Sequence, residues 1–197
     1  MKRKCSESPA KPAPWPSLLW IVRHGQSAGN VARDVADENG LNRIELTHRD
    51  VDVPLSDLGR AQSRALGHWF ASFDAIMRPE IMLFSPYLRA VETAQLFRAS
   101  GGYLPEERIC IDERLREKEF GILDGLTMAG VARYQPEQAE FRNLLGKFYH
   151  RPPWWRKLGR RDLPIARHVG HRVAPLWRSA GPDRGAPSRC LVSTLHH

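Results

Sequence analysis

Three short runs hold the side chains most able to do chemistry. Arg23-His24-Gly25-Gln26-Ser27, with Asn30 close behind, sets an imidazole beside a guanidinium. Ser85-Pro86-Tyr87-Leu88-Arg89-Ala90 adds a second arginine, and Leu115-Arg116-Glu117 adds a carboxylate ahead of Phe120-Gly121 and Asp124-Gly125. An imidazole can be a nucleophile, arginine forks match the oxygens of an anionic group, and a carboxyl can carry a proton. Taken singly, each run also reads as a surface turn, a solvated helix residue or one carboxylate in a charged loop.

The elements around these runs argue for more. Leu18-Leu19-Trp20-Ile21-Val22 is a continuous apolar run with the look of a strand buried on both faces, and it stops at Arg23-His24-Gly25. Open α/β sheets put their ligands at such strand ends. A polar loop is expected through Pro54. Ser56 then caps a helix whose apolar side is Leu58, Ala61, Ala65, Leu66, Trp69 and Phe70. Ile81–Phe84 reads as a second buried strand. Ser85-Pro86 reads as the start of the next helix, which carries Ala90, Ala94, Leu96 and Phe97 and ends at Gly101-Gly102. Ile109–Ile111 is a third short strand. This alternation is the pattern of an α/β fold with a mainly parallel sheet.

In this order, the three runs resemble the motifs of the histidine phosphatase superfamily, the phosphoglycerate-mutase-like proteins. Leu55-Ser56-Asp57-Leu58-Gly59-Arg60-Ala61-Gln62 is similar to that family's first helix. The resemblance covers residues 18 to about 153 and implies a three-layer α/β/α sandwich with its site at the carboxyl ends of the strands. It implies a phosphomonoester hydrolase in which His24 forms a phosphohistidine. One ring nitrogen of His24 must then be free while the other donates to a fixed acceptor. Arg23 and Arg89 are the implied phosphate clamp. Arg89 also gains from a helix N-terminus, and Asn30 could add an uncharged donor. Glu117, four residues before Gly121 as in the family pattern, is the implied general acid and then base. It must arrive protonated, so burial should raise its pKa. Glu119 is its local competitor. The substrate is a small phosphorylated molecule, and no metal or other cofactor is expected.

The family's second histidine follows a late buried strand, in a pattern like V-L-V-V-T-H-G. Cys190-Leu191-Val192-Ser193-Thr194-Leu195-His196-His197 imitates that pattern, and His168 and His171 form another late pair, but neither matches it. The composition also changes after Pro153. Residues 154–197 contain no Glu and no Phe, yet hold three of the six Trp and four of the eight His. Nine Lys and Arg against two Asp give this tail +7 of the net +8, leaving 21 basic and 20 acidic residues before it.

These features suggest that residues from about 154 onward are an out-of-frame reading. Trp154-Trp155 must be TGG TGG, so reading one base later forces Gly-Gly, and permissible codons continue as G-G-E-S-W-A. Codons compatible with Gly181 to Arg189 can read V-L-I-V-A-H-Q-V in the same frame. The expected consequence is a sheet incomplete at its C-terminus, with no internal partner beside the His24 strand. A chain of that kind should be poorly stable and weakly active or inactive. Three segments follow: a loose leader (1–17), the phosphatase-like domain (18–153) and an aberrant basic tail (154–197).

Other classes are bounded by composition. At 197 residues, 42% hydrophobic and 26% charged, the chain suits one globular domain. No apolar run approaches the roughly 20 residues of a membrane span, and no signal peptide is evident. Three dispersed cysteines fit a reducing cytoplasm. A basic tail could bind nucleic acid, but no stripe, motif or repeat supports that reading. A second alternative is a non-catalytic binder of phosphorylated ligands through Arg23 and Arg89. Within the family the rival is mutase-type phosphoryl transfer. The short stretch from Gly125 to Tyr149 favours a phosphatase, because mutases carry longer insertions. The charged loop Val31–Val53 is a candidate substrate wall. Oligomeric state is not legible.

Overall fold

The computed structural model describes residues 16–117, 119–154 and 189–194. Its strands are β1 (Leu18–Arg23), β2 (Ile81–Phe84), β3 (Ile109–Ile111) and β4 (Arg189–Thr194). They form one parallel sheet in the order β1-β4-β2-β3. The helices are α1 (Ala28–Glu38), α2 (Asp57–Ala71), α3 (Leu88–Ala99), α4 (Met128–Tyr134) and α5 (Pro136–Tyr149). The fold is therefore α/β with a parallel sheet. No helix among the described residues is long and apolar enough to cross a membrane.

β4 corrects the expected gap in the sheet. It pairs along the whole of β1, from Leu18 opposite Arg189 to Arg23 opposite Thr194. On its other side it runs along β2, from Ile81 opposite Cys190 to Phe84 opposite Ser193. The physical reason is local. Cys190-Leu191-Val192 is apolar enough to bury almost completely, and Arg189 is fastened at the strand's start. Its guanidinium reaches Glu80 Oε1 at 2.5 Å and also donates to the Ile76 carbonyl, while Glu80 N–H donates to Arg189 O at 2.9 Å. β1 consequently lies at the edge of the described sheet and is not buried on both faces; Ile21 is 51% exposed.

On one face of the sheet Trp20, Met82, Phe84 and Leu191 pack with Phe70, Ala94 and Phe97 from α2 and α3. Trp20, Trp69, Phe70 and Phe73 form edge-on and tilted aromatic pairs there. The other face joins Ile81, Leu83, Cys190 and Val192 with Leu19, Cys110 and Leu115.

Three further expectations need revision. The polar loop before Pro54 contains α1, opened by a reciprocal cap: Asn30 N–H donates to Ser27 Oγ (3.1 Å) and Ser27 N–H to Asn30 Oδ1 (2.9 Å). The buried residues of α2 are Gly59, Ser63, Gly67 and Phe70, whereas Leu58 and Trp69 are about half exposed. Small residues face inward because α2 lies very close to its neighbours. Finally, α3 begins at Leu88, and Ser85-Pro86 belong to the bend before it.

Candidate active site

The β1 strand delivers His24 to a turn clamped by α2. A Cβ on Gly25 would lie 2.3 Å from Gly59 O, and one on Gly59 would lie 1.9 Å from Gln26 O. Only glycine at both positions permits this approach. Polar contacts fix the same junction: Gln26 N–H donates to Gln62 Oε1 (2.8 Å), and Ser56 N–H donates to Gln26 O (2.9 Å). From α3, the Thr93 hydroxyl accepts from Gly25 N–H at 3.2 Å and donates to Arg89 O at 2.8 Å.

His24 is only 7% exposed. Its Nδ1 stands 2.5 Å from the Gly25 carbonyl. A carbonyl can only accept, so Nδ1 carries the proton and Nε2 keeps its lone pair. Burial lowers the ring pKa from 6.5 to about 4; the Gly25 hydrogen bond opposes this, and the charges of Arg89 and Arg23 add to the lowering. The imidazole is thus neutral near pH 7.

The arginines fare differently. Arg89, in the first turn of α3, is 3% exposed and lies over the Tyr87 ring at 4.6 Å. Its Nη2 donates to Glu117 Oε2 at 2.9 Å, and its Nη1 donates to Asp50 O (2.6 Å) and Oδ1 (3.0 Å). Arg23 is exposed and does not line the cavity that holds His24 and Arg89. Arg23 acts on His24 through its charge.

Glu117 is 8% exposed and lines the same cavity of about 230 Å³. Burial pushes its carboxyl above the ordinary carboxylate range, the Arg89 charge pulls it back, and Asp50 pushes it up. Glu119 lines a neighbouring cavity instead, with Tyr87 and Arg116. Asn30 also lines the first cavity. Its Oδ1 serves the α1 cap, which leaves the NH₂ as its donor.

The cavity therefore gathers His24, Arg89, Glu117 and Asn30. Asp50 and Asp124 share it, and neither has a catalytic or phosphate-binding role in the sequence analysis. Asp50 belongs to the charged loop marked as a substrate wall, the one available signal. Asp124 was visible only as part of an Asp-Gly pair. His168, His171, His196 and His197 lie outside the described residues.

The arrangement offers a neutral imidazole with a free nitrogen, a buried guanidinium and a carboxyl biased toward its protonated form. The family model described as histidine phosphatase superfamily (branch 1) matches residues 19–179, running past Trp154. The 2,3-bisphosphoglycerate-dependent phosphoglycerate mutase 2 of Gloeobacter violaceus is 29% identical over 160 residues, covering 81% of this chain and 64% of that protein. Fructose-2,6-bisphosphatase TIGAR B of Danio rerio is 29% identical over 108 residues, covering 54% and 36%. The chain thus spans from about a third to just under two thirds of the length of these curated relatives. Among solved structures, mycobacterial glucosyl-3-phosphoglycerate phosphatase superposes with a TM-score of 0.59 at 25% identity, covering 88% of this chain and 72% of the other. The alpha-ribazole phosphatase of Shigella flexneri gives 0.60 at 20% identity, covering 89% and 73%, a likeness of fold alone.

Proposed function

The chain belongs to the histidine phosphatase superfamily, and on that premise we propose that it is a phosphomonoester hydrolase acting through a phosphohistidine on His24. The observation that carries this reading is the His24 ring itself: buried, neutral, with Nδ1 committed to Gly25 O in a cavity shared with Arg89 and Glu117.

The Nε2 lone pair attacks phosphorus, the P–O ester bond breaks, and the leaving alkoxide takes the proton of Glu117. Arg89 and the Asn30 amide hold the equatorial oxygens, with Arg23 adding positive charge from outside the cavity. Water then attacks the phosphohistidine, Glu117 accepts its proton, the N–P bond breaks, and inorganic phosphate leaves. Turnover in the chain as written should be slow, because no late histidine in its sequence matches the family pattern.

The test is covalent labelling. A radiolabelled phosphomonoester should leave an acid-labile, alkali-stable phosphate on the wild-type chain and none on His24→Ala. A chain that binds phosphate without labelling is instead a non-catalytic binder. The likeness to a phosphoglycerate mutase supports a second reading, transfer of the phosphoryl group back to a sugar acid. Release of inorganic phosphate, rather than isomerised substrate, favours the hydrolase.

A further inference from the structure

We propose that Asp50 is an internal competitor for the phosphoryl subsite and sets its affinity, an inference that rests on reading Arg89 as the phosphate clamp. The Arg89 fork has four N–H bonds at Nη1 and Nη2, and each has an acceptor. Nη1 donates to Asp50 O (2.6 Å) and Oδ1 (3.0 Å); Nη2 reaches Asp50 Oδ2 (3.4 Å) and Glu117 Oε2 (2.9 Å). The Asp50 carboxylate thus presents two oxygens to the two nitrogens of one guanidinium, the geometry a phosphoryl group uses.

Both anions cannot occupy that fork. A phosphomonoester dianion arriving there would meet a carboxylate at contact distance, and like charges repel strongly where water is partly excluded. Asp50 is free to yield. Its side chain is 45% exposed, whereas Arg89 and Glu117 are 4% and 6% exposed at theirs. It opens a three-residue 3-10 turn, Asp50–Asp52, with no side-chain cap bond at its start. Beyond that turn Val53 is buried at 1%, which anchors the chain a few residues away. The turn can therefore swing the carboxylate to solvent while its far end stays fixed. Substrate affinity is then the difference between two anions' claims on Arg89.

The experiment is calorimetric titration of the full chain with inorganic phosphate, comparing wild type with Asp50→Asn, Asp50→Ala and Asp52→Asn. Asp52 lies on the same turn, is exposed and is not among the hydrogen-bond or ion-pair partners of the Arg89 fork, so its variant removes an equal charge without vacating it. Asp50→Asn should bind phosphate roughly tenfold more tightly, the scale expected when one adjacent like charge is removed. Asp50→Ala should bind at least as tightly, because the asparagine amide can still accept from Arg89. Asp52→Asn should match wild type. Wild-type binding with no gain in either Asp50 variant, or an equal gain in Asp52→Asn, overturns the competitor role alone. Absence of phosphate binding in every variant overturns the phosphate-clamp reading itself. Thermal melts of each variant establish that it is folded.

Discussion

Arg89 Nη2 and Glu117 Oε2 meet at 2.9 Å with both side chains buried, yet burial outweighs the arginine and keeps the Glu117 carboxyl above the ordinary carboxylate range. A salt-bridged carboxylate on the surface would behave in the opposite way. The pairing gives a group that can hold a proton until a leaving oxygen needs it.

On the proposed mechanism His24 must be unprotonated and Glu117 protonated. The rate should climb as pH rises through about 4, where His24 loses its proton, and fall as pH passes the raised pKa of Glu117. Glu117→Gln should lower kcat by roughly 10²–10⁴-fold and abolish the falling limb. A pH–rate profile of both proteins checks this; an unchanged falling limb in the variant would remove Glu117 from the acid role.

The same titration acts on stability. The folded His24 pKa of about 4 lies below the ordinary 6.5, so the unfolded chain binds more protons between those values. Stability from this group is fully present above pH 6.5 and is lost as pH falls toward 4, roughly 3 kcal/mol in all. Denaturant melts from pH 7 to 4 should show a shallower loss for His24→Gln than for wild type. Equal slopes would mean that the ring is not buried neutral.

Thr93 ties α3 to the His24 turn through one hydroxyl, accepting from Gly25 N–H and donating to Arg89 O. Thr93→Val keeps the shape and leaves the Gly25 amide unpaired, at a cost of about 1–3 kcal/mol. Because the nucleophile's turn loosens, kcat should fall roughly tenfold with KM little changed. A fall in KM affinity alone would place Thr93 in binding rather than in positioning the turn.

Much of this site was legible because its signals are local. The apolar run ahead of Arg23-His24 marks a strand end, and the resemblance to the family pattern, in which the acid stands four residues before the glycine, picks Glu117 over Glu119. Asp50 escaped because its role comes from a contact across 39 positions to Arg89, which no local pattern in a loop crowded with charges announces. Helix α1 escaped because it buries little, with only Ala36 fully covered; the Ser27–Asn30 cap was the readable clue. The α2 stripe was misplaced because close approach selects Gly59, Ser63 and Gly67, and small residues add nothing to an apolar period.

That close approach is itself testable. A Cβ at Gly59 has no room against the Gln26 carbonyl, which is backbone and cannot rotate away. Gly59→Ala should push α2 off the turn, costing roughly 1–3 kcal/mol and weakening activity together. Gly40, whose Cβ would meet open space, provides the contrast. Gly40→Ala strains a backbone at φ +63° but leaves the His24 turn in place, so its activity should match wild type. Denaturant melts alongside turnover assays separate the two effects.

The tail poses two questions that need different experiments. For the chain as written, β4 is the strand between β1 and β2, so truncation after Ser188 removes the backbone partners of both. Cooperative melting should disappear in that truncation and survive in one made after Thr194, which keeps β4 and removes Leu195 to His197. A cooperative melt without β4 would show the strand to be dispensable. The reading frame is a property of the gene. Sequencing independently isolated DNA across the codons for Pro152 to Arg156 tests it: one base fewer would replace Trp154 onward with G-G-E-S-W-A and restore a strand that ends in histidine. The family match through residue 179 and the seating of Arg189–Thr194 in the sheet both argue for the frame as written. If the DNA confirms that frame, Cys190–Thr194 is the native partner of β1, and the search for a second histidine moves to His196 and His197.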